Sequence, residues 1–271
     1  MTPTVVLIGA GNMGFAMLEG WLKRMPKLTL HVVEPFKAFR QRAETAGAHA
    51  VAALTDLPTD LKADLVVVAV KPPMVAMVLA DCTSLAARGA AFLSVAAGVR
   101  LASMRSALAA PAAHIRCMPN TPAAVGEGMM VLCTDTDLPP RIRKLTEALM
   151  ASSGEVAWVG DEALMDAVTA ISGSGPAYVF HFIEALTAAG LRLGLPEDVA
   201  PLLARQTVAG AGRMARDASV SPTVLRERVT SPSGTTEAAL SILMADGALT
   251  ELMARAATAA RDRGVELGRE G

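Results

Sequence analysis

Thr4-Val5-Val6-Leu7-Ile8-Gly9-Ala10-Gly11-Asn12-Met13-Gly14 decides the fold of this chain. A run of strand formers leads straight into three glycines, and an apolar-periodic segment follows from Phe15 through Leu22. Strand, glycine turn and helix, in that order, is the setting in which G-x-G-x-x-G reads as a dinucleotide-binding fingerprint. Gly9 allows the tight turn, Gly11 lets the backbone approach a pyrophosphate, and Gly14 lets helix and strand pack. The N-terminus of the helix offers free N–H groups and partial positive charge to phosphates. Glycine-rich turns also serve packing alone. Two features favour the nucleotide reading here: the motif follows the first strand, and an acid, Glu34, ends the next one about 20 residues after the third glycine.

Working outward, Thr29 to Val33 is expected as the second strand, closing on Glu34-Pro35-Phe36-Lys37. A carboxylate at position 34 can accept hydrogen bonds from the adenosine ribose and would repel the extra phosphate of NADP. That leans toward NADH, with Lys37 and Arg40 offsetting part of the repulsion. The plainer alternative is a surface acid before a turn proline. A helix from Phe36 to Ala46 and a short strand from His49 to Ala52 follow. Leu65 to Val70 is a continuous apolar run, as in a parallel strand covered on both faces, and Lys71-Pro72-Pro73 stops it. Ligands bind at the carboxyl ends of such strands, so Ala69, Val70, Lys71 and Pro72 are placed to touch a cofactor. Ala91 to Val95 runs into Ala96-Ala97-Gly98-Val99, small enough to admit a flat ring. His114 to Met118 leads into the stiff turn Pro119-Asn120-Thr121-Pro122. Strands at Met129 to Cys133 and Glu155 to Val159, with the helix Pro140 to Ser152 between them, complete a βα alternation. The pattern predicts a doubly wound α/β sheet over residues 1–160.

From Asp161 no strand pattern recurs. Helices are expected at Asp161–Ile171, Pro176–Leu193, Pro196–Ala215, Ser221–Val229, Thr235–Met244 and Ala248–Leu267, making residues 161–271 a second, all-α domain. Two stretches there interrupt the periodicity. Ser172-Gly173-Ser174-Gly175-Pro176-Ala177-Tyr178 would be costly inside a helix and marks a break where another body can approach, or a simple helix junction. Val229-Thr230-Ser231-Pro232-Ser233-Gly234-Thr235-Thr236-Glu237 puts hydroxyls, a glycine and free N–H groups at a helix start, a pocket suited to a carboxylate. Ordinary N-capping by Ser233 or Thr235, with Glu237 contributing, is the alternative.

Composition bounds the rest. The 271 residues are 52% hydrophobic and 19% charged, which is a folded, core-rich chain. Aromatics are only 3%, so Ala, Val, Leu and Met must fill the core. A net charge of -1 without a basic run argues against a nucleic-acid partner. No apolar stretch reaches the roughly 18 residues of a membrane span, and the start enters a strand with no signal peptide. Cys82, Cys117 and Cys133 lack metal or redox spacing and read as reduced, packed thiols of a cytoplasmic protein; no metal site is expected. None of His31, His49, His114 or His181 sits in a catalytic motif.

The residues carry a resemblance. Ile8 to Gly14, Ala69-Val70-Lys71-Pro72, Ser94 to Val99, Arg116-Cys117-Met118-Pro119-Asn120-Thr121-Pro122, Asp166 to Thr169, Ser172 to Tyr178 and Val229 to Thr236 resemble the pyrroline-5-carboxylate reductase family nearly end to end. The first motif is shared by many dehydrogenases, whereas the last two together are specific. The resemblance implies a Rossmann-like sheet followed by a helical dimerisation domain. It implies NADPH or NADH as cofactor, held at Ile8, Gly9, Ala10, Gly11, Asn12, Met13, Glu34, Pro35, Ala69 to Pro72, Ala96, Ala97 and Gly98. It implies a substrate carboxylate at Ser231, Gly234, Thr235 and Thr236, with Thr236 matching the family's proposed proton-donating threonine. It also implies dimers that swap helices, share active sites and often gather into decamers. Two positions depart from the pattern. Ser233 replaces the first glycine of Ser-Pro-Gly-Gly, and a positive φ there would strain a serine. Glu34 stands where relatives often carry a small hydroxyl or amide residue.

The expected reaction is hydride transfer from the nicotinamide to C5 of 1-pyrroline-5-carboxylate, giving L-proline. A readily protonated imine asks for orientation more than for acid–base residues, in keeping with the lack of a His-Asp or Lys-Asp pair. A β-hydroxy acid dehydrogenase, or a reductase of another imine, is the first rival; the absence of lysine between Lys144 and Gly271 speaks against the former. A nucleotide-binding dimer without activity is the second.

Overall fold

The structure, a computed structural model, describes residues 2–217 and 219–270. These form two compact units. One runs from the N-terminus to Ser174 and takes in the stretch from Ala260 on; the other is Gly175–Ala259.

The first unit is built on a sheet with β1 (Thr4–Ile8), β2 (Thr29–Val33), β3 (His49–Val51), β4 (Leu65–Val68), β5 (Ala91–Ser94), β6 (His114–Met118), β7 (Gly128–Cys133) and β8 (Gly154–Trp158). Their spatial order is β3-β2-β1-β4-β5-β6-β7-β8. All neighbouring pairs are parallel except β6 and β7, which pair antiparallel with Cys117 opposite Leu132. The chain leaves β1 toward β2 and β3, then returns to build outward from β4. The gap between the ends of β1 and β4 is therefore the topological switch point where such sheets bind ligands.

The helices of this unit are α1 (Asn12–Arg24), α2 (Lys37–Thr45), α3 (Val75–Asp81), α4 (Thr83–Ala87), α5 (Leu101–Ala107), α6 (Pro140–Ala151) and α7 (Met165–Val168). They cover both faces of the sheet, and alternation along β1 shows it: Val5 and Leu7 pack with Met17, Leu18 and Trp21, while Val6 and Ile8 pack with Phe92, Leu101 and Met104. Each such side chain removed from water contributes roughly 1.5–3 kcal/mol. Trp21 also donates its indole N–H to the Leu149 carbonyl at 2.9 Å, tying α1 to α6. The helices α3, α4 and α5 were not expected from the sequence; none spans more than two turns, too short for a periodic signal. Beyond β8 the chain is pinned by a buried cation. Arg116 on β6 is 3% exposed and pairs with Glu162 at 3.2 Å and Asp166 at 3.8 Å. Glu162 also accepts the Leu101 N–H at 2.8 Å, so the start of α5 is fixed by the same carboxylate.

The expected helix Asp161–Ile171 is three pieces: a 3-10 turn at Glu162–Leu164, α7, and a π-helical turn at Thr169–Gly173. The Ser172-Gly173 break is thus a widened turn, of the kind often found at functional sites. A Cβ on Gly173 would meet Met118 Cε at 2.4 Å, the tip of a flexible side chain from the end of β6 that would have to move aside.

The second unit is helical: α8 (Gly175–Arg192), α9 (Val199–Ala215), α10 (Pro222–Arg228), α11 (Thr235–Leu243) and α12 (Ala248–Glu270), the last counted with this unit as far as Ala259. Within the single chain it buries little. Of α8 only Gly190 is buried, and neither α10 nor α11 contains a buried residue.

Candidate active site

The three glycines do different physical work. Gly9 has φ +95°, and a Cβ there would lie 2.7 Å from the Ala69 carbonyl oxygen. A Cβ on Gly14 would lie 2.1 Å from the Gly9 carbonyl oxygen. These two are glycines because the backbone is crowded. Gly11 is the opposite case, since a Cβ there meets nothing within 4 Å. Behind that open space α1 begins at Asn12 with no side chain capping its N-terminus. Unpaired N–H groups, the positive end of a helix and room for a close approach together fit a pyrophosphate. Ile8 and Ala10 are buried, so only their backbones can touch a ligand there; Asn12 is exposed and Met13 half-buried.

The loop is fastened from two sides. Glu34 is 3% exposed; its Oε2 accepts the Ala10 N–H at 2.7 Å and its Oε1 the Phe36 N–H at 2.9 Å. The carboxylate is turned into the glycine loop and away from solvent, which the sequence could not show. From α2, Arg42 Nη2 donates to the Ala10 carbonyl at 2.7 Å and the Gly11 carbonyl at 3.3 Å. Its guanidinium stacks 3.9 Å above the Phe15 ring. Arg42 was not singled out from the sequence, where it is one of several cations on an amphipathic helix. Arg40 donates to the carbonyls of Glu34 and Pro35 at 2.9 and 3.1 Å.

The remaining expected cofactor residues lie on the same edge of the sheet. Ala69, Val70, Lys71 and Pro72 follow β4, with Lys71 and Pro72 exposed. Ala96, Ala97 and Gly98 follow β5; Ala96 is buried and its N–H is held by Ser94 Oγ at 3.2 Å. Pro72, Ala97, Gly98, Asp166, Thr169 and Leu267 line a largely apolar cavity of about 660 Å³ in this unit. Asn120 locks the turn after β6. Its amide donates to the Ser172 carbonyl at 3.2 Å and its oxygen accepts the Met129 N–H at 2.8 Å. The cysteines are buried packing groups; burial pushes the Cys82 thiol up to about 12 and raises those of Cys117 and Cys133.

In the second unit, the turn from Thr230 to Thr235 closes through the Gly234 N–H and the Ser231 carbonyl at 3.0 Å. A Cβ on Gly234 would come within 3.0 Å of that same carbonyl oxygen. Ser233 has φ +58°, so the serine does sit where a glycine would be relaxed. Its N–H donates to Glu237 Oε2 at 2.6 Å. No side chain caps α11: Gly234 is the N-cap, and neither Ser233 nor Thr235 takes the capping role the sequence allowed. The start of α11 therefore has no side-chain cap on its first N–H groups, the condition a carboxylate needs. Thr169, Thr187 and Thr230 bond the carbonyl four residues back, whereas the Thr236 hydroxyl has no partner among the described residues.

Comparison with known proteins concerns the chain as a whole. A family model described as pyrroline-5-carboxylate reductase dimerisation matches residues 162–267, and one described as NADP oxidoreductase coenzyme F420-dependent matches residues 4–98. The chain is 37% identical to the pyrroline-5-carboxylate reductase of Pseudomonas aeruginosa over 99% of this chain and 98% of the other. To that of Glycine max it is 36% identical, over 97% and 96%. Among solved structures it superposes with a TM-score of 0.92 on a pyrroline-5-carboxylate reductase from Coxiella burnetii, at 34% identity and covering 98% and 99% of the two chains. The Plasmodium falciparum enzyme, solved with NADP bound, gives a TM-score of 0.81 at 26% identity, covering 98% of each chain.

Proposed function

We infer the reaction from one premise: the chain belongs to the pyrroline-5-carboxylate reductase family. It is an NAD(P)H-dependent oxidoreductase that reduces the C=N bond of 1-pyrroline-5-carboxylate to give L-proline. The observation that carries the residue assignments is the pair of uncapped helix starts. One lies behind Gly11, the other behind Gly234, each preceded by a turn that leaves N–H groups for an anion.

When bound, NAD(P)H supplies a hydride from C4 of its nicotinamide. The chain's part is to hold and orient. The N–H groups from Gly11 to Gly14 take the pyrophosphate. Ala69 to Pro72 and Ala96 to Gly98 offer backbone and small side chains to the rest of the coenzyme. In the helical unit, Ser231, Gly234, Thr235 and Thr236 take the substrate carboxylate through the start of α11. The Thr236 hydroxyl hydrogen-bonds the ring nitrogen and supports delivery of the proton that nitrogen gains. Functionally, residues 1–160 are the coenzyme part and 161–271 the dimerisation and substrate part.

The chain self-associates through its helical region. Phe180, Phe182, Leu202 and Leu203 are 60%, 48%, 65% and 48% exposed in the single chain, an apolar surface that wants covering. We assign the basic assembly as a dimer, with decamers built from it. No described helix is long and apolar enough to cross a membrane, and three buried free thiols suit a reducing cytoplasm.

The test is oxidation of NADPH and of NADH by the purified chain with 1-pyrroline-5-carboxylate, with proline measured as product. Consumption of neither coenzyme would sink the reading. Turnover only of a different imine or of a hydroxy acid would replace the substrate.

A further inference from the structure

We propose that Lys37 and Arg40 form a 2′-phosphate site that selects NADPH over NADH, and that Glu34 is a positioning residue for the glycine loop; this rests on the coenzyme assignment made above. An acid ending the second strand ordinarily binds the ribose hydroxyls and repels a 2′-phosphate. Glu34 is not available for either task. It is 3% exposed, and both its oxygens are engaged by N–H donors, from Ala10 and Phe36. Turning it toward a ribose would strand the buried Ala10 N–H without a partner, an unfavourable exchange.

With the carboxylate withdrawn, the surface at the end of β2 is cationic. Residues 34–42 hold one acid and three cations, Lys37, Arg40 and Arg42. Arg42 is spent on the Ala10 and Gly11 carbonyls. Lys37, the first residue of α2, is exposed, and its ammonium makes no contact with an acid among the described residues. Arg40 lies one turn on, on the same side of the helix. It uses only Nη1 on the Glu34 and Pro35 carbonyls, which anchors the guanidinium over the strand end and leaves its other N–H groups for an anion. A fork of N–H donors beside an ammonium is the chemistry that recognises a phosphate dianion.

The test needs no turnover. The full chain is titrated calorimetrically with adenosine 2′,5′-bisphosphate and with 5′-AMP at low salt. The bisphosphate is expected to bind on the order of tenfold tighter or more, and Lys37→Ala or Arg40→Gln should each remove most of that margin. Glu34→Gln should weaken both nucleotides together and leave their ratio alone. Equal or tighter binding of 5′-AMP to the wild-type chain would overturn the proposal. So would a Glu34→Gln variant that gains affinity for the bisphosphate alone, since Glu34 would then be facing the ribose. If Glu34→Gln does not fold, the two cation variants still decide. Binding of neither nucleotide would bring down the coenzyme assignment and this proposal with it. Nucleotide selectivity without reduction of 1-pyrroline-5-carboxylate would sink the reaction alone.

Discussion

Glu34 Oε2 lies 2.7 Å from the amide nitrogen of Ala10. On the other side of the same residue, Arg42 holds the carbonyl at an equal distance. An acid and a base thus grip one alanine whose own side chain is buried and does nothing polar. Arg42→Met keeps the contact with Phe15 and loses the hydrogen bonds. It should raise KM for both coenzymes without changing their ratio and cost about 1–3 kcal/mol in stability. Urea unfolding with parallel kinetics checks both; a variant with unaltered KM would show that the clamp has no bearing on the loop.

Gly11 and Gly14 separate binding from folding. Gly11→Ala meets open space at φ -62°, so the variant should unfold with the wild-type midpoint. If the pyrophosphate takes the proposed place beside Gly11, the added methyl stands in its way, and coenzyme affinity should fall on the order of tenfold or more. Gly14→Ala drives a carbon into the Gly9 carbonyl and should lose roughly 1–3 kcal/mol or more of stability. Thermal melts and coenzyme titrations of the two variants would distinguish them; equal behaviour would contradict the division.

Ser233→Gly should stabilise the chain. Its φ of +58° costs an L-residue roughly 1 kcal/mol that glycine escapes, and the N–H to Glu237 is a backbone bond that survives the change. Urea denaturation should show the gain, and Ser233→Ala should show none.

Thr236→Ala should cut kcat/KM for 1-pyrroline-5-carboxylate by about tenfold to a hundredfold, the value of one hydrogen bond of roughly 1–3 kcal/mol. Coenzyme KM should stay put, and Thr236→Ser should recover most of the rate. Full turnover by the alanine variant would remove the hydroxyl from the mechanism.

His114 predicts a pH effect. It is buried on β6, stacked with Phe92 at 6.3 Å between ring centroids. Burial, helped by the nearby Arg105 charge, lowers its pKa. The folded state therefore resists protonation while the unfolded chain accepts a proton near the ordinary value of about 6.5. Stability should be full above that pH and fall as pH drops through it toward the lowered folded value. Across this window the unfolding free energy of His114→Leu should depend less steeply on pH than that of the wild type, keeping only the part due to His31 and other groups; His31 is shifted the same way. An unchanged slope in the variant would acquit His114.

The first strand, its glycine loop and the doubly wound sheet were legible because their signals are local: an apolar run, a spacing of glycines, a strand stopped by Lys71-Pro72. The helices α3 to α5 were not, being too short to repeat a pattern. Neither was the reversed β7, since periodicity says nothing of direction. At the site, positions read well and orientations did not. Glu34 was found where an acid should be, but nothing in a string of letters says which way a carboxylate turns. Arg42 acts through two carbonyls and an aromatic face brought near by folding, and it left no motif. The strain at Ser233 could be stated only as a condition, until its φ answered it.

The sheet has its last strand by Trp158, whereas the cavity beside Gly98 draws part of its wall from Gly264 and Leu267. During synthesis the ribosome must therefore add about a hundred further residues after the final strand before that wall exists, close to 10 s at ordinary elongation rates of about 5–20 residues per second. A nascent chain can own a complete sheet and still lack a finished pocket.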